Sequence, residues 1–182
     1  MARSEAIELV KRNISSDRLV KHMVAVEAIM RGLAQRLGED VELWGLVGLL
    51  HDVDYEKTVN SFLEHGLTSA RMLEGLLPLE ALDAIKAHNE LTGYRSDTKL
   101  AKALKAADQL SGLLVAVALV MPSRKLAEVR VESILKKFKQ KDFARGVDRS
   151  KIRICEELGL SLEEFIELGL RAVQRVSNEL GL

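Results

Sequence analysis

From Glu39 to His51 the chain is apolar on nearly every side of a helix: Val41, Leu43, Trp44, Leu46, Val47, Leu49 and Leu50, loosened only by Gly45 and Gly48. A helix with no polar face runs through the middle of its domain, with other elements packed around it. This one ends in His51-Asp52, an imidazole beside a carboxylate at the edge of a core. Two such groups are costly to bury unless something satisfies them. A metal ion satisfies both at once; a histidine at a helix C-terminus followed by a turn-forming aspartate is the plainer alternative.

The rest of the chain also reads as helix. Residues 4–13 form a short first helix capped by Ser4, and Ser15-Ser16-Asp17 opens a second. In that second helix Leu19, Val26, Ile29, Met30 and Leu33 recur at helical spacing, with His22 on the inward side. By itself His22 is either a core histidine bonded to a backbone carbonyl or a ligand. Asp54 to Lys57 reads as a charged loop. Glu64 to Leu77 reads as a helix with His65 in its first turn and Gly66 beside it. Pro78 suits the first turn of the next helix, which closes near His88.

Asp97 or Thr98 then begins a long helix to Met121 that places Leu104, Asp108, Ser111, Gly112 and Val115 on one face. Asp108 is a lone carboxylate in an apolar run, where an unpaired charge costs several kcal/mol, so it has to meet a cation or strong donors. Beyond Pro122 the character changes. Residues 123–138 are amphipathic, 136–141 are strongly basic, and 143–150 read as a loop. Ser161 and Glu164 make a capping box for a last helix to about Leu180. The expectation is an all-α fold, a single domain over 1–182 with its core in 15–121 and a helical extension in 122–182.

Composition narrows the function classes. The chain has 182 residues, with 47% hydrophobic and 30% charged, which suits a helical globular protein. Twenty-seven basic and 27 acidic residues leave no whole-molecule field for nucleic acid. The single Cys155 forms no internal disulfide and suits a reducing compartment. The longest apolar stretch, Leu110 to Met121, falls short of the ~20 residues that a membrane span needs. Arg3, Glu5 and Glu8 lie where a signal peptide is apolar, so a cytoplasmic location is expected.

His22, His51-Asp52, His65, His88 and Asp108, in that order, resemble the HD-domain metal-dependent phosphohydrolase superfamily over about residues 15–121. The resemblance implies a compact helical bundle in which His22, His51, Asp52 and Asp108 hold a first divalent ion. Two-metal members add two histidines, here matched by His65 and His88, with Asp52 bridging. Imidazole with carboxylate suits iron, manganese, zinc or nickel, and the absence of cysteine from the set argues against a structural zinc cluster. The subgroup that cleaves cyclic diguanylate carries HHE and GYP where this chain has His88-Asn89-Glu90 and Gly93-Tyr94-Arg95. Its usual lysine four residues after the HD histidine is Tyr55 here. Small bacterial members similar to the symmetrical dinucleoside tetraphosphatases share the six-ligand layout.

The implied activity is hydrolysis of a phosphate ester or anhydride by a metal hydroxide, with a nucleotide or other small phosphorylated molecule as substrate. Two divalent ions outweigh two ligand carboxylates, so such a site attracts anions. Asp54 or Lys57 is a candidate to assist the leaving group. Arg145 and Arg149 are candidates for phosphates beyond the metals, because a guanidinium makes bidentate phosphate contacts. Two other functions share this ligand set: an HD-fold diiron oxygenase and a non-enzymatic nucleotide sensor. Neither a membrane nor nucleic acid is an expected partner.

Overall fold

The computed structural model describes residues 1–182 and contains α-helices and short 3-10 turns but no strand, in line with the helical periodicity. The helices are α1 (Arg3–Asn13), α2 (Asp17–Leu37), α3 (Val41–Leu50), α4 (Tyr55–Thr58), α5 (Leu67–Met72), α6 (Leu79–His88) and α7 (Lys99–Val120), followed by α8 (Val131–Phe138), α9 (Arg149–Ile152), α10 (Leu162–Arg175) and α11 (Ser177–Leu180). Ser16, Asp40, Thr98 and Ser161 cap α2, α3, α7 and α10 by accepting backbone N–H groups in the first turn.

The apolar helix α3 occupies the centre, with every residue from Trp44 to Leu50 buried. Its main partner is α2. The two backbones come very close at Gly48, where an added Cβ would lie 3.0 Å from the backbone of Glu27. The second axis of the fold is α7, which packs on α2, α3, α6, α9 and α10. One continuous buried cluster of 48 residues reaches from Ala6 in α1 to Leu180 in α11. The ends of α3 and α6, the middle of α7 and the second turn of α2 are thereby held around one point.

Several expectations need correction. The first helix begins at Arg3, and Ser4 lies inside it; Glu5 instead accepts the Ala2 N–H at 2.6 Å. His65 is not in a helix turn, because Gly66 adopts φ +85° and α5 starts only at Leu67. Residues 123–138 are helical only from Val131 apart from one 3-10 turn, and the last helix breaks at Val176. The charged segment after Asp52 is partly helical, as α4. Its Glu56 accepts the N–H groups of Ser15 and Ser16 and fixes the entry to α2.

The longest apolar stretch is also longer than expected. Helix α7 has 22 residues and an 18-residue window of mean hydropathy 1.6, enough by length and composition to cross a membrane. Here it is a core helix: 56% of that window is buried within the protein.

Candidate metal centre

All six expected ligands meet. Asp52 is central: its Oδ1 lies 3.3 Å from His51 Nε2, 3.2 Å from His65 Nε2 and 3.3 Å from His88 Nε2. Its Oδ2 lies 3.8 Å from His22 Nε2. On the other side, Asp108 Oδ1 stands 3.1 Å from His22 Nε2 and 3.8 Å from His51 Nε2. Two overlapping sets, His22 with His51 and Asp108, and His51 with Asp52 and His88, each bring their donor atoms within 4.8 Å of one another. Donors about 2.0–2.2 Å from a shared ion stand roughly 3.0–3.5 Å apart, so most of these spacings suit metal coordination.

The far sides of the rings decide what the near sides can do. His51 Nδ1 lies 2.8 Å from the Gly48 carbonyl, and His88 Nδ1 lies 2.6 Å from that of Ile85. Carbonyl oxygens only accept, so both nitrogens carry the proton. His65 Nδ1 donates to Asp54 Oδ1 at 2.8 Å. Ser111 spends its hydroxyl proton on the Asp108 carbonyl at 2.8 Å, so at 3.0 Å it accepts from His22 Nδ1. With Nδ1 protonated on all four rings, every neutral imidazole presents an Nε2 lone pair to a carboxylate or to another Nε2. His65 Nε2 and His88 Nε2 face each other at 3.1 Å. Acceptors crowded in this way need a positive charge between them.

His51 Nε2 sharpens the point. It is buried and lacks a hydrogen-bond partner; Asp52 Oδ1 is within ion-pair distance but not in hydrogen-bond geometry. Buried polar atoms are rarely left so, and a coordinated cation accounts for this one. With protons as the only cations, burial pushes His51 down, yet the carboxylates of Asp52 and Asp108 outweigh it and pull the ring up to about 9. Burial likewise opposes the charge on His65, which Asp52 and Asp54 pull up to about 9. Burial raises the carboxyls of Asp52 and Asp108, but the imidazoles hold both well below the usual carboxylate range.

Local structure explains how the ligands arrive. His51 and Asp52 follow the last turn of α3, and His88 closes α6. The left-handed turn at Gly66 lets the chain lie against the His88 ring: a Cβ there would be 3.0 Å from His88 Cε1 and 3.0 Å from the Ile85 carbonyl. His51, His65 and His88 are buried, whereas the side chains of His22 and Asp108 are 26% and 22% exposed and form the mouth.

Two of the residues cast as helpers of catalysis have other work. Asp54 is fully buried, and besides His65 it accepts the N–H groups of Gly66 and Ser69, each at 2.8 Å. It orients a ligand and has no surface toward a leaving group. The Lys57 ammonium donates to Asn13 at 2.7 Å and lies against Met72, so it is committed to α1 and α5.

The two arginines differ in how far they are engaged. Arg149 donates to the carbonyls of Phe138, Gln140, Phe143, Ala144 and Val147, which leaves its guanidinium caged by its own segment. Arg145 is 79% exposed and pairs with Asp142. Sequence reasoning did not find Ser111 as the holder of His22, or Gln109, which donates to Asp108 Oδ2 at 2.9 Å and accepts the Asp148 N–H at 2.8 Å. Their positions one and three residues after Asp108 were the available signal.

A family model, the HD domain, matches residues 19–113, more than half of the chain and the whole ligand set. The chain belongs to the HD domain family. No curated protein and no solved structure matches it. The HD domain family is a metal-dependent, hydrolase-like family, and the His/Asp cluster of this chain is compatible with a metal site.

Proposed function

We propose that this HD domain is a phosphohydrolase that cleaves an ester or anhydride bond in a nucleotide or other small phosphorylated molecule. Two divalent ions (iron, manganese, zinc or nickel) are held by His22, His51, Asp52, His65, His88 and Asp108. One observation carries the reading: four Nε2 lone pairs, each fixed by a protonated Nδ1, converge on two carboxylates. When bound there, divalent ions neutralise phosphoryl charge and bring the pKa of water toward neutrality.

The chain's own groups do the rest. His51 is common to the two ligand sets, and Asp52, a member of the inner one, turns its Oδ2 toward His22 of the other at 3.8 Å, which supports its role as the bridge. Asp54 keeps the Nδ1 proton on His65, so that Nε2 stays free to coordinate. His22 and Asp108, about a quarter exposed, leave one side of the centre open to substrate and water, while the buried histidines close the other. Because Asp54 and Lys57 are engaged elsewhere, the leaving oxygen takes its proton from water at that mouth.

The test is elemental analysis of the purified protein followed by a phosphate-release screen across nucleotides and simple phosphate esters. The expected result is metal bound by the wild type and phosphate release that disappears in Asp52→Ala and Asp108→Ala, with the helical spectrum kept. Iron with oxygen uptake and no phosphate release makes the protein an oxygenase instead. Nucleotide binding without turnover makes it a sensor.

A further inference from the structure

Glu90 follows two residues after the ligand His88, and two lysines converge on it. Lys105 Nζ stands 3.8 Å from one of its oxygens and Lys151 Nζ 3.6 Å from the other. Both separations exceed hydrogen-bond length, and neither ammonium makes a hydrogen bond to any other group in the chain. Yet both side chains are drawn inward: Lys105 is only 11% exposed and Lys151 22%, while Glu90 is 43% exposed. The stems lie on apolar surface while the heads stay at the solvent edge, so two ammonium groups are held beside a single carboxylate and the cluster carries an excess positive charge.

The position of the pair gives the anion its identity. Lys105 lies one turn before Asp108 on α7, so their Cβ atoms are roughly 5–6 Å apart. Glu90 is placed by the chain leaving His88, and Lys151 comes from α9, which packs on α7. The cluster therefore adjoins the two segments that carry Asp108 and His88, and in it two ammonium groups share one partly exposed carboxylate.

We propose that Lys105 and Lys151 form a second anion subsite that takes the phosphates lying beyond the reacting one, which makes the preferred substrate an oligophosphate and not a phosphomonoester. The inference rests on the phosphohydrolase reading above. Glu90 sits in the subsite as the group the phosphate chain displaces or pushes aside, and it keeps the lysines gathered when no substrate is bound.

The test compares inorganic phosphate with tripolyphosphate by calorimetry on the metal-loaded full chain, with the divalent ion in excess to offset chelation. Tripolyphosphate is expected to bind more tightly than phosphate. Lys105→Met with Lys151→Met keeps the buried stems, and should weaken tripolyphosphate binding by roughly tenfold or more while phosphate binding and metal content stay the same. Lys105→Arg should retain the affinity, and Glu90→Gln should increase it. If the double variant folds, binds phosphate and holds tripolyphosphate as tightly as the wild type, the subsite is wrong and the phosphohydrolase reading survives. If the metal-loaded wild type binds neither anion, both fail together.

Discussion

Asp54 grips His65 from behind: Oδ1 accepts the ring's Nδ1–H at 2.8 Å, while Oδ2 accepts two backbone N–H groups, from Gly66 and Ser69. One carboxylate thus sets the rotamer and tautomer of a ligand and pins the turn that carries it. Such outer partners of a metal-binding histidine commonly influence affinity by about 10–100-fold.

Asp54→Asn tests this directly. An amide can present one oxygen but must point its NH2 at a donor, either the His65 Nδ1–H or the N–H pair of Gly66 and Ser69. On the proposed two-ion reading, the expected outcome is about 10–100-fold weaker binding of the metal that uses His65, with the metal held by His22, His51 and Asp108 retained. Elemental analysis after dialysis measures it, and two full equivalents of metal in the variant would show that Asp54 does not orient the ligand.

The same pair shows what the sequence could and could not reveal. His51-Asp52 and Asp108 were legible because each is a polar interruption of an apolar helix, and local pattern exposes such interruptions. Asp54 lies two residues further on beside Tyr55-Glu56-Lys57, and locally it looks like part of a solvated loop. Its burial depends on N–H groups at Gly66 and Ser69, 12 and 15 residues away, and on a positive φ that only the fold fixes. The engagement of Arg149 was hidden for a related reason: its acceptors are carbonyls of an irregular segment, and no residue type advertises those. Lys105 and Lys151 are 46 residues apart and carry no local signal, and only the fold brings both to Glu90.

The cage around Arg149 makes a prediction opposite to a substrate role. Removing the guanidinium in Arg149→Met strands the carbonyls of Phe138, Phe143 and Val147, while those of Gln140 and Ala144 keep a backbone N–H, and should cost about 2–4 kcal/mol, allowing for those that water can reach. Arg145→Ala, at an exposed pair, should stay within ~0.5 kcal/mol of wild type. Urea unfolding of both variants gives the comparison. Equal stability of the two would mean that the cage contributes nothing.

Glu27 is a buried carboxylate away from the candidate metal centre. It is 2% exposed and accepts from Arg3 Nε at 2.8 Å and Arg31 Nε at 2.9 Å. Arg31 continues to Glu42 and Arg3 to Glu179, so one carboxylate links α1, α2, α3 and α11. Glu27→Gln leaves two guanidinium groups with weaker acceptors, although the partial exposure of Arg3 softens the loss. A destabilisation of about 2–3 kcal/mol is expected, with metal content unchanged. Thermal melts of the metal-free protein read the effect without interference from ligand binding.

In the metal-stripped protein, protons have to do the work of the ions, and this fixes the sign of the pH dependence. Burial opposes protonation of His51 and His65, but the neighbouring carboxylates win and raise both from the ordinary 6.5 to about 9. A histidine with a pKa raised by folding adds stability that is complete below its unfolded value and is lost as pH rises through its folded value. The metal-free protein should therefore lose stability between pH 6.5 and about 9. Asp52 and Asp108, held below the ordinary 3.8, contribute above that value and lose their contribution only in acid. Metal binding displaces the histidine protons, so affinity should rise with pH over the same upper window. The gap in melting temperature between metal-loaded and metal-free protein is then expected to widen from pH 6.5 to about 9. A constant gap across that window would mean that protons and metal do not compete for these two rings.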